Sequence, residues 1–162
     1  MGALEPRKID WPEYGRLCRL IAERVEQEFK PEEIVAIAGG GTVVGATVAS
    51  LLKIDFFPLR YSLKVSEEVV RKQPKLSLPP TAHLEKKKVL LIDDSCKTGH
   101  TIREAIKEIN KLNPYGVASA VLVRGGEFQP DYYAIFSFGP VIFPWEEEEN
   151  SAQELNQEIL QK

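Results

Sequence analysis

Cysteine is scarce in this chain of 162 residues: Cys18 and Cys96 stand far apart, form no CxxC pair, and have only two histidines for company. That excludes a disulfide framework and a structural zinc site, both of which need clustered ligands. Long apolar runs are missing too; none approaches the roughly 20 residues that cross a bilayer. No repeat, low-complexity tract or linker divides the chain. The first residues, MGALEPRKIDWPEY, put charges where an export signal needs its apolar stretch, and Pro6 stands where myristoylation asks for Ser or Thr. The expectation is a cytoplasmic protein with no membrane partner.

What is present describes an ordinary globular chain, 43% hydrophobic and 28% charged. The length suits one domain over residues 1–147, followed by an acidic tail, 148–162, whose Ala152 to Gln161 has the spacing of a short amphipathic helix. The net charge of −3 gives no support for a nucleic-acid partner. It conceals a basic stretch, in which Lys64, Arg71, Lys72, Lys75, Lys86, Lys87 and Lys88 face only Glu67, Glu68 and Glu85. Such a stretch is either a solvated loop or a contact for an anion.

Apolar periodicity alternates between the two regular patterns. Asp10 and Glu13 fit a capping box, and Tyr14, Leu17, Cys18, Ile21, Val25 and Phe29 recur at helical spacing until Pro31. Ile34 to Ala38 is a short, wholly apolar strand; Gly39 to Gly41 break it, and Thr42 is placed to cap a helix through about Leu52. Asp55 to Tyr61 reads as a second strand. From Ser62 to Lys86 no period survives, prolines interrupt, and Val65, Val69 and Val70 offer edge-strand fragments of a loop long enough to be a lid. Val89 to Ile92 is the clearest buried strand, followed by a polar turn and a helix from about His100 to Leu112. Gly116 to Val123 and Tyr132 to Phe136 are further strands, and Val141 to Trp145 is expected along an edge or floor. This alternation predicts an α/β fold, a mostly parallel twisted sheet with helices on both faces.

VLLIDDSCKTGHT carries the chemistry. In open α/β sheets ligands sit at the carboxyl ends of strands, where loops run into helix N-termini. Here a buried strand delivers Asp93 and Asp94, and Ser95, Thr98 and Thr101 follow, with Gly99 freeing the backbone where a helix begins. Helix N–H groups and hydroxyls suit a phosphate. Two carboxylates would repel that phosphate, so they suit vicinal hydroxyls or a hydrated cation further along the same ligand. A sugar phosphate supplies all of these groups.

The stretch resembles the phosphoribosyl-pyrophosphate (PRPP) signature of type I phosphoribosyltransferases, with Asp93, Asp94, Thr98, Gly99 and Thr101 matching. AIAGGGTVVGA is similar to their pyrophosphate loop, and PDYY with VIFPWE to their base-holding region, above all in compact prokaryotic enzymes of the hypoxanthine, xanthine and guanine type. The likeness spans about residues 33–147. It implies transfer of a 5-phosphoribosyl group from PRPP to a nucleobase, a purine, with Mg²⁺ and release of pyrophosphate, in a homodimer. Asp93 and Asp94 would take the ribose hydroxyls and, through water, the metal. Ser95, Cys96, Lys97, Thr98, Gly99, His100 and Thr101 would wrap the 5′-phosphate, with Lys97 joining the acids in catalysis. Gly39, Gly40, Gly41 and Thr42 would meet pyrophosphate, Arg71 and Lys72 would act from a hood, and Arg124, Pro140 and Val141 would hold the base.

The chain departs from that pattern at four places: Gly39 where the family has arginine, Lys97 where purine enzymes have aspartate, Arg124 where a lysine reads the purine, and Pro140 where an aromatic stacks. Two alternatives therefore stand beside the enzyme. One is a regulator that binds PRPP or a nucleotide on the same fold with little turnover. The other is an NADP-binding oxidoreductase, because Gly39, Gly41 and Gly45 approach the dinucleotide fingerprint and Arg60 ends the next strand. Cys96 is either a reactive thiol near a helix N-terminus or a small filler.

Overall fold

The protein is described by a computed structural model over residues 5–62, 64–65, 68–69, 75–78 and 83–146. Arg71, Lys72 and the tail 148–162 lie outside these described residues. In chain order the elements are β1 (Arg7–Lys8), α1 (Trp11–Glu28), β2 (Glu33–Ile37), α2 (Gly40–Leu52), β3 (Asp55–Ser62), β4 (Lys64–Val65), β5 (Glu68–Val69), β6 (Lys75–Leu78), β7 (Lys88–Cys96), α3 (His100–Asn110), β8 (Gly116–Arg124), β9 (Tyr132–Phe136) and β10 (Val141–Ile142). Among the described residues no helix is long and apolar enough to cross a membrane.

The central sheet runs β6-β3-β2-β7-β8-β9, parallel except for β6, which pairs antiparallel with β3 at one edge. Alternation along each strand assigns the two faces. Ile34, Ala36, Leu90, Ile92, Ala120 and Leu122 pack with α1 and α2; Val35, Ile37, Val89, Leu91 and Val121 pack with α3. Both faces are covered, which explains why the strands read as unbroken apolar runs. The expected fold class is what the chain adopts. The edge fragments around Val65 and Val69 pair as the short ladder β4–β5.

Asp10 accepts the Glu13 N–H at 2.7 Å and caps α1, but the Glu13 carboxylate turns to Arg7 instead of closing a capping box. At α2 the cap is Gly39, not Thr42: its φ of 110° lies where side chains are rarely tolerated, and no side chain caps the helix. That dihedral gives a backbone reason for glycine at a position where the resembling family has arginine. β7 also runs further than its apolar stretch, through Asp93, Asp94 and Ser95 to Cys96, because β8 pairs with it along that length.

Ser119 lies buried in the middle of β8, and its N–H and hydroxyl both donate to Asp131 Oδ2, at 2.7 and 2.8 Å, tying β8 to the start of β9. Asp131→Ala leaves those two buried donors short of their acceptor, so it is expected to cost about 2–3 kcal/mol. Urea titration checks this as a lower midpoint with unchanged slope; an unmoved midpoint refutes it.

Candidate functional site

The site lies at the carboxyl ends of β2 and β7, where α2 and α3 begin. β7 carries Asp93 and Asp94 side by side, each half-buried. The Asp94 N–H donates to Asp93 Oδ1 at 2.9 Å, and the Ser95 hydroxyl donates to Asp94 Oδ1 at 3.2 Å. Burial pushes Asp93 up to about 8, and the neighbouring Asp94 charge adds to it. Asp94 is also raised, by burial first, with Ser95 opposing and Glu146 contributing. A carboxyl held close to its neutral form is better suited to hydroxyl partners than to direct phosphate contact.

The glycine turn closes on this pair. A Cβ on Gly40 would overlap the Asp94 carboxylate and stand 3.1 Å from Trp145; one on Gly41 would reach 2.7 Å from Asp93 Oδ1. The start of α2 therefore sits directly against the acids. Trp145 is fixed in turn by stacking on Phe143 and by edge contact with Tyr14, whose hydroxyl lies 2.6 Å from Thr47 Oγ1 on α2. Glu146 Oε2 accepts the Phe143 N–H at 2.7 Å. Trp145 and Glu146 thus stand near Asp94, beside the glycine turn.

Beyond the acids, Asp93, Ser95, Cys96, Lys97, Thr98, Gly99, His100, Thr101 and Ile102 line a cavity of about 140 Å³ at the head of α3. All the residues expected to wrap a phosphate are in this lining. Asp94 is not in it, and it stands at the glycine turn instead. Thr98 Oγ1 accepts the His100 N–H at 3.4 Å, and Gly99 takes a left-handed φ of 69° as the cap of α3. Cys96 is buried, and burial raises its thiol to about 11, which favours the neutral thiol over a reactive thiolate.

A second cavity of about 200 Å³ adjoins the first, lined by Ser95, Cys96, Lys97, Val123, Gly125, Ser137, Gly139, Pro140 and Val141. It contains two of the three expected base-side residues. Arg124 does not line it; its Nε donates to the Phe128 carbonyl at 3.0 Å, and its guanidinium lies over the Tyr133 and Phe136 rings. A larger groove of about 620 Å³ is lined by Lys97, Thr98, Arg103, Gly126, Glu127, Phe128 and Gln129. Lys97 is common to all three spaces.

Sequence reasoning missed Trp145 as the support of the glycine turn, and it missed Phe128 and Arg103 altogether. No local pattern pointed to them: Trp145 and Phe128 act across elements distant in sequence, and Arg103 joins Phe128 to the Thr98 carbonyl. The Phe138 ring, 83% exposed and edge-on to Phe136, was also passed over; its chain neighbours Ser137 and Gly139 line the second cavity.

Among the described residues no cluster of three or more His, Cys, Asp or Glu is arranged to hold a metal. The Asp93–Asp94 pair is compatible with a Mg²⁺ that keeps most of its water and arrives on a diphosphate, since such an ion needs few protein ligands.

Comparison with known proteins gives a consistent result. The sequence model described as the phosphoribosyl transferase domain matches residues 10–153. An orotate phosphoribosyltransferase of Parvibaculum lavamentivorans is 32% identical over 67% of this chain and 53% of its own length. A transcriptional regulator, GfcR, of Archaeoglobus fulgidus is 30% identical over 73% of this chain and 65% of its own. The chain thus spans between half and two thirds of the length of these curated relatives. Among solved structures, a purine phosphoribosyltransferase from Pyrococcus horikoshii superposes with a TM-score of 0.80 at 26% identity, covering 89% of this chain and 95% of that one.

Proposed function

Because this chain belongs to the phosphoribosyltransferase family, we propose that it transfers a 5-phosphoribosyl group from PRPP to a nucleobase, a purine, and releases pyrophosphate. The observation that carries the reading is the meeting of three parts at one point: an acid pair, a glycine turn packed against it, and a cavity at the head of α3. A ribose fits the acid pair, with its 5′-phosphate in the cavity at the head of α3 and its pyrophosphate at the glycine turn. The purine assignment draws on the Pyrococcus structure, which matches nearly the whole chain.

In this reading Asp93 and Asp94 take the 2′- and 3′-hydroxyls, and the turn from Ser95 to Thr101 holds the 5′-phosphate. Gly39 to Thr42 meet the pyrophosphate, and Pro140 and Val141 border the base. As the glycosidic bond breaks, positive charge grows on the sugar and negative charge on the leaving group. Donors fixed beforehand on α2 and α3 stabilise that separation without reorganising. Bound Mg²⁺ supplies further charge neutralisation on the diphosphate. Lys97, at the junction of the cavities, adds a cation on the same side. Arg71 and Lys72 belong to the proposal as hood contacts, as do a homodimer and a cytoplasmic setting.

A second reading has one observation in its favour. The likeness to a transcriptional regulator, together with a glycine-only backbone at Gly39, is compatible with a PRPP-binding regulator of low turnover. The dinucleotide reading gives way to the family match. One experiment separates the first two: labelled PRPP and Mg²⁺ with adenine, hypoxanthine, guanine, xanthine and orotate, read as nucleotide formed. Nucleotide with at least one purine is expected. PRPP binding without product from any base would replace the enzyme with the regulator, and product from orotate alone would reject the purine assignment.

A further inference from the structure

We infer that the turn 125–129 is a latch on the anion-binding turn and that Phe128 is the positioning residue within it; this rests on the reading that Lys97 to Thr101 wrap a sugar phosphate. β7 and β8 end side by side, with Cys96 paired to Arg124. Both chains then leave the sheet, and their turns stay bound to each other. The Gly125 N–H donates to the Cys96 carbonyl at 2.7 Å, and the Phe128 N–H donates to the Lys97 carbonyl at 3.3 Å. The Phe128 ring lies flush on Gly99, in the space a Cβ there would fill. The Arg103 guanidinium, from the first turn of α3, stands 5.1 Å from the ring centre, and Arg103 Nη2 donates to the Thr98 carbonyl at 2.7 Å. Arg124 Nε holds the Phe128 carbonyl from behind at 3.0 Å.

The physical consequence concerns the carbonyls as much as the N–H groups. A turn that binds an anion must aim its N–H groups inward and its carbonyl oxygens elsewhere, because a carbonyl dipole facing the ligand repels it. The carbonyls of Lys97 and Thr98, in the middle of the turn, are each occupied, one by the Phe128 N–H and the other by Arg103. Gly99 is the softest link in the turn, having no side chain to limit it, and the ring lies directly on it. The latch therefore keeps the anion turn in its binding form before a ligand arrives, which spares the ligand the cost of ordering it.

The test measures ribose 5-phosphate binding to the whole chain by calorimetry at 25 °C. Phe128→Ala is expected to weaken it by about 10-fold or more, the scale on which small misplacements of a binding group act. Arg103→Gln, an exposed position, is expected to weaken it by roughly 3–10-fold, and Arg103→Lys to restore part of the loss by keeping a cation on the ring and one donor for Thr98. A purely structural role would lower the melting temperature and leave affinity at 25 °C unchanged. Folded Phe128→Ala with wild-type affinity overturns the inference and leaves the proposed function standing. If Phe128→Ala does not fold, Arg103→Gln decides alone, and unchanged affinity there overturns it equally. A wild-type chain that does not bind ribose 5-phosphate overturns the functional reading itself, and the latch with it.

Discussion

Asp93→Asn combined with Asp94→Asn is expected to abolish PRPP binding while the chain stays folded. Each ribose hydroxyl left without its carboxyl partner costs about 1–3 kcal/mol, so replacing both acids weakens affinity by about 100-fold or more. The fold survives because the acids contribute little to packing, and their own electrostatics disfavour the folded state. Burial, then the Asp94 charge, raises Asp93 to about 8. The sign follows directly: the folded chain holds a proton that the unfolded chain releases near pH 4, so stability falls as pH climbs from about 4 to about 8 and levels off above. Asp93→Asn removes that loss. Thermal melts of this single variant should match wild type near pH 4 and exceed it at pH 9 by about 1–3 kcal/mol, allowing for the partial exposure of the site. Unchanged PRPP affinity in the double variant would mean that the ribose sits elsewhere. A pH-independent melting difference would mean that Asp93 is not held near neutrality.

Gly40→Ala carries the second large effect. The new methyl group would overlap the Asp94 carboxylate and press on Trp145, which the Phe143 stack and Tyr14 hold in place. Asp94 is the part free to move, so the acid pair is displaced from the ligand. Overpacking of this kind costs about 1–3 kcal/mol of stability. The loss of PRPP affinity should be larger in proportion, about 30-fold or more, because the displaced group is the one that grips the sugar. Gly15→Ala is the control: it lies in α1, a Cβ there meets nothing within 4 Å, and the substitution should stabilise by about 0.5–1 kcal/mol with affinity intact. Calorimetry and melting curves on the two variants check both. Wild-type affinity in Gly40→Ala would show that contact between the glycine turn and Asp94 does not set the site.

Some of this was legible from local pattern. The helical spacing of Tyr14, Leu17, Cys18, Ile21 and Val25 depends only on which residues share a face, and α1 buries all five. The break after the buried run ending at Ile92 marked the site, because a strand end followed by small polar residues leaves the sheet at its ligand-binding edge. The length of β7 was not legible. Asp93, Asp94 and Ser95 have weak strand preference by themselves and read as a turn, yet the backbone of β8 pairs with them and carries the strand to Cys96. Thr42 was misread as a cap for a similar reason, since the helix start is set by the Gly39 dihedral and not by a side-chain bond.

Two things follow from the order of residues alone: an alternating α/β chain, and a single stretch in which two acids precede a phosphate-type turn. Both depend on neighbours in sequence, where periodicity and backbone preference act. Tertiary structure decided which distant groups complete that stretch: Gly40 and Trp145 against Asp94, and Phe128 with Arg103 on the turn after it. Contacts of that kind depend on strand order and on the way close packing brings side chains from separate elements into one space, and neither is written in local spacing.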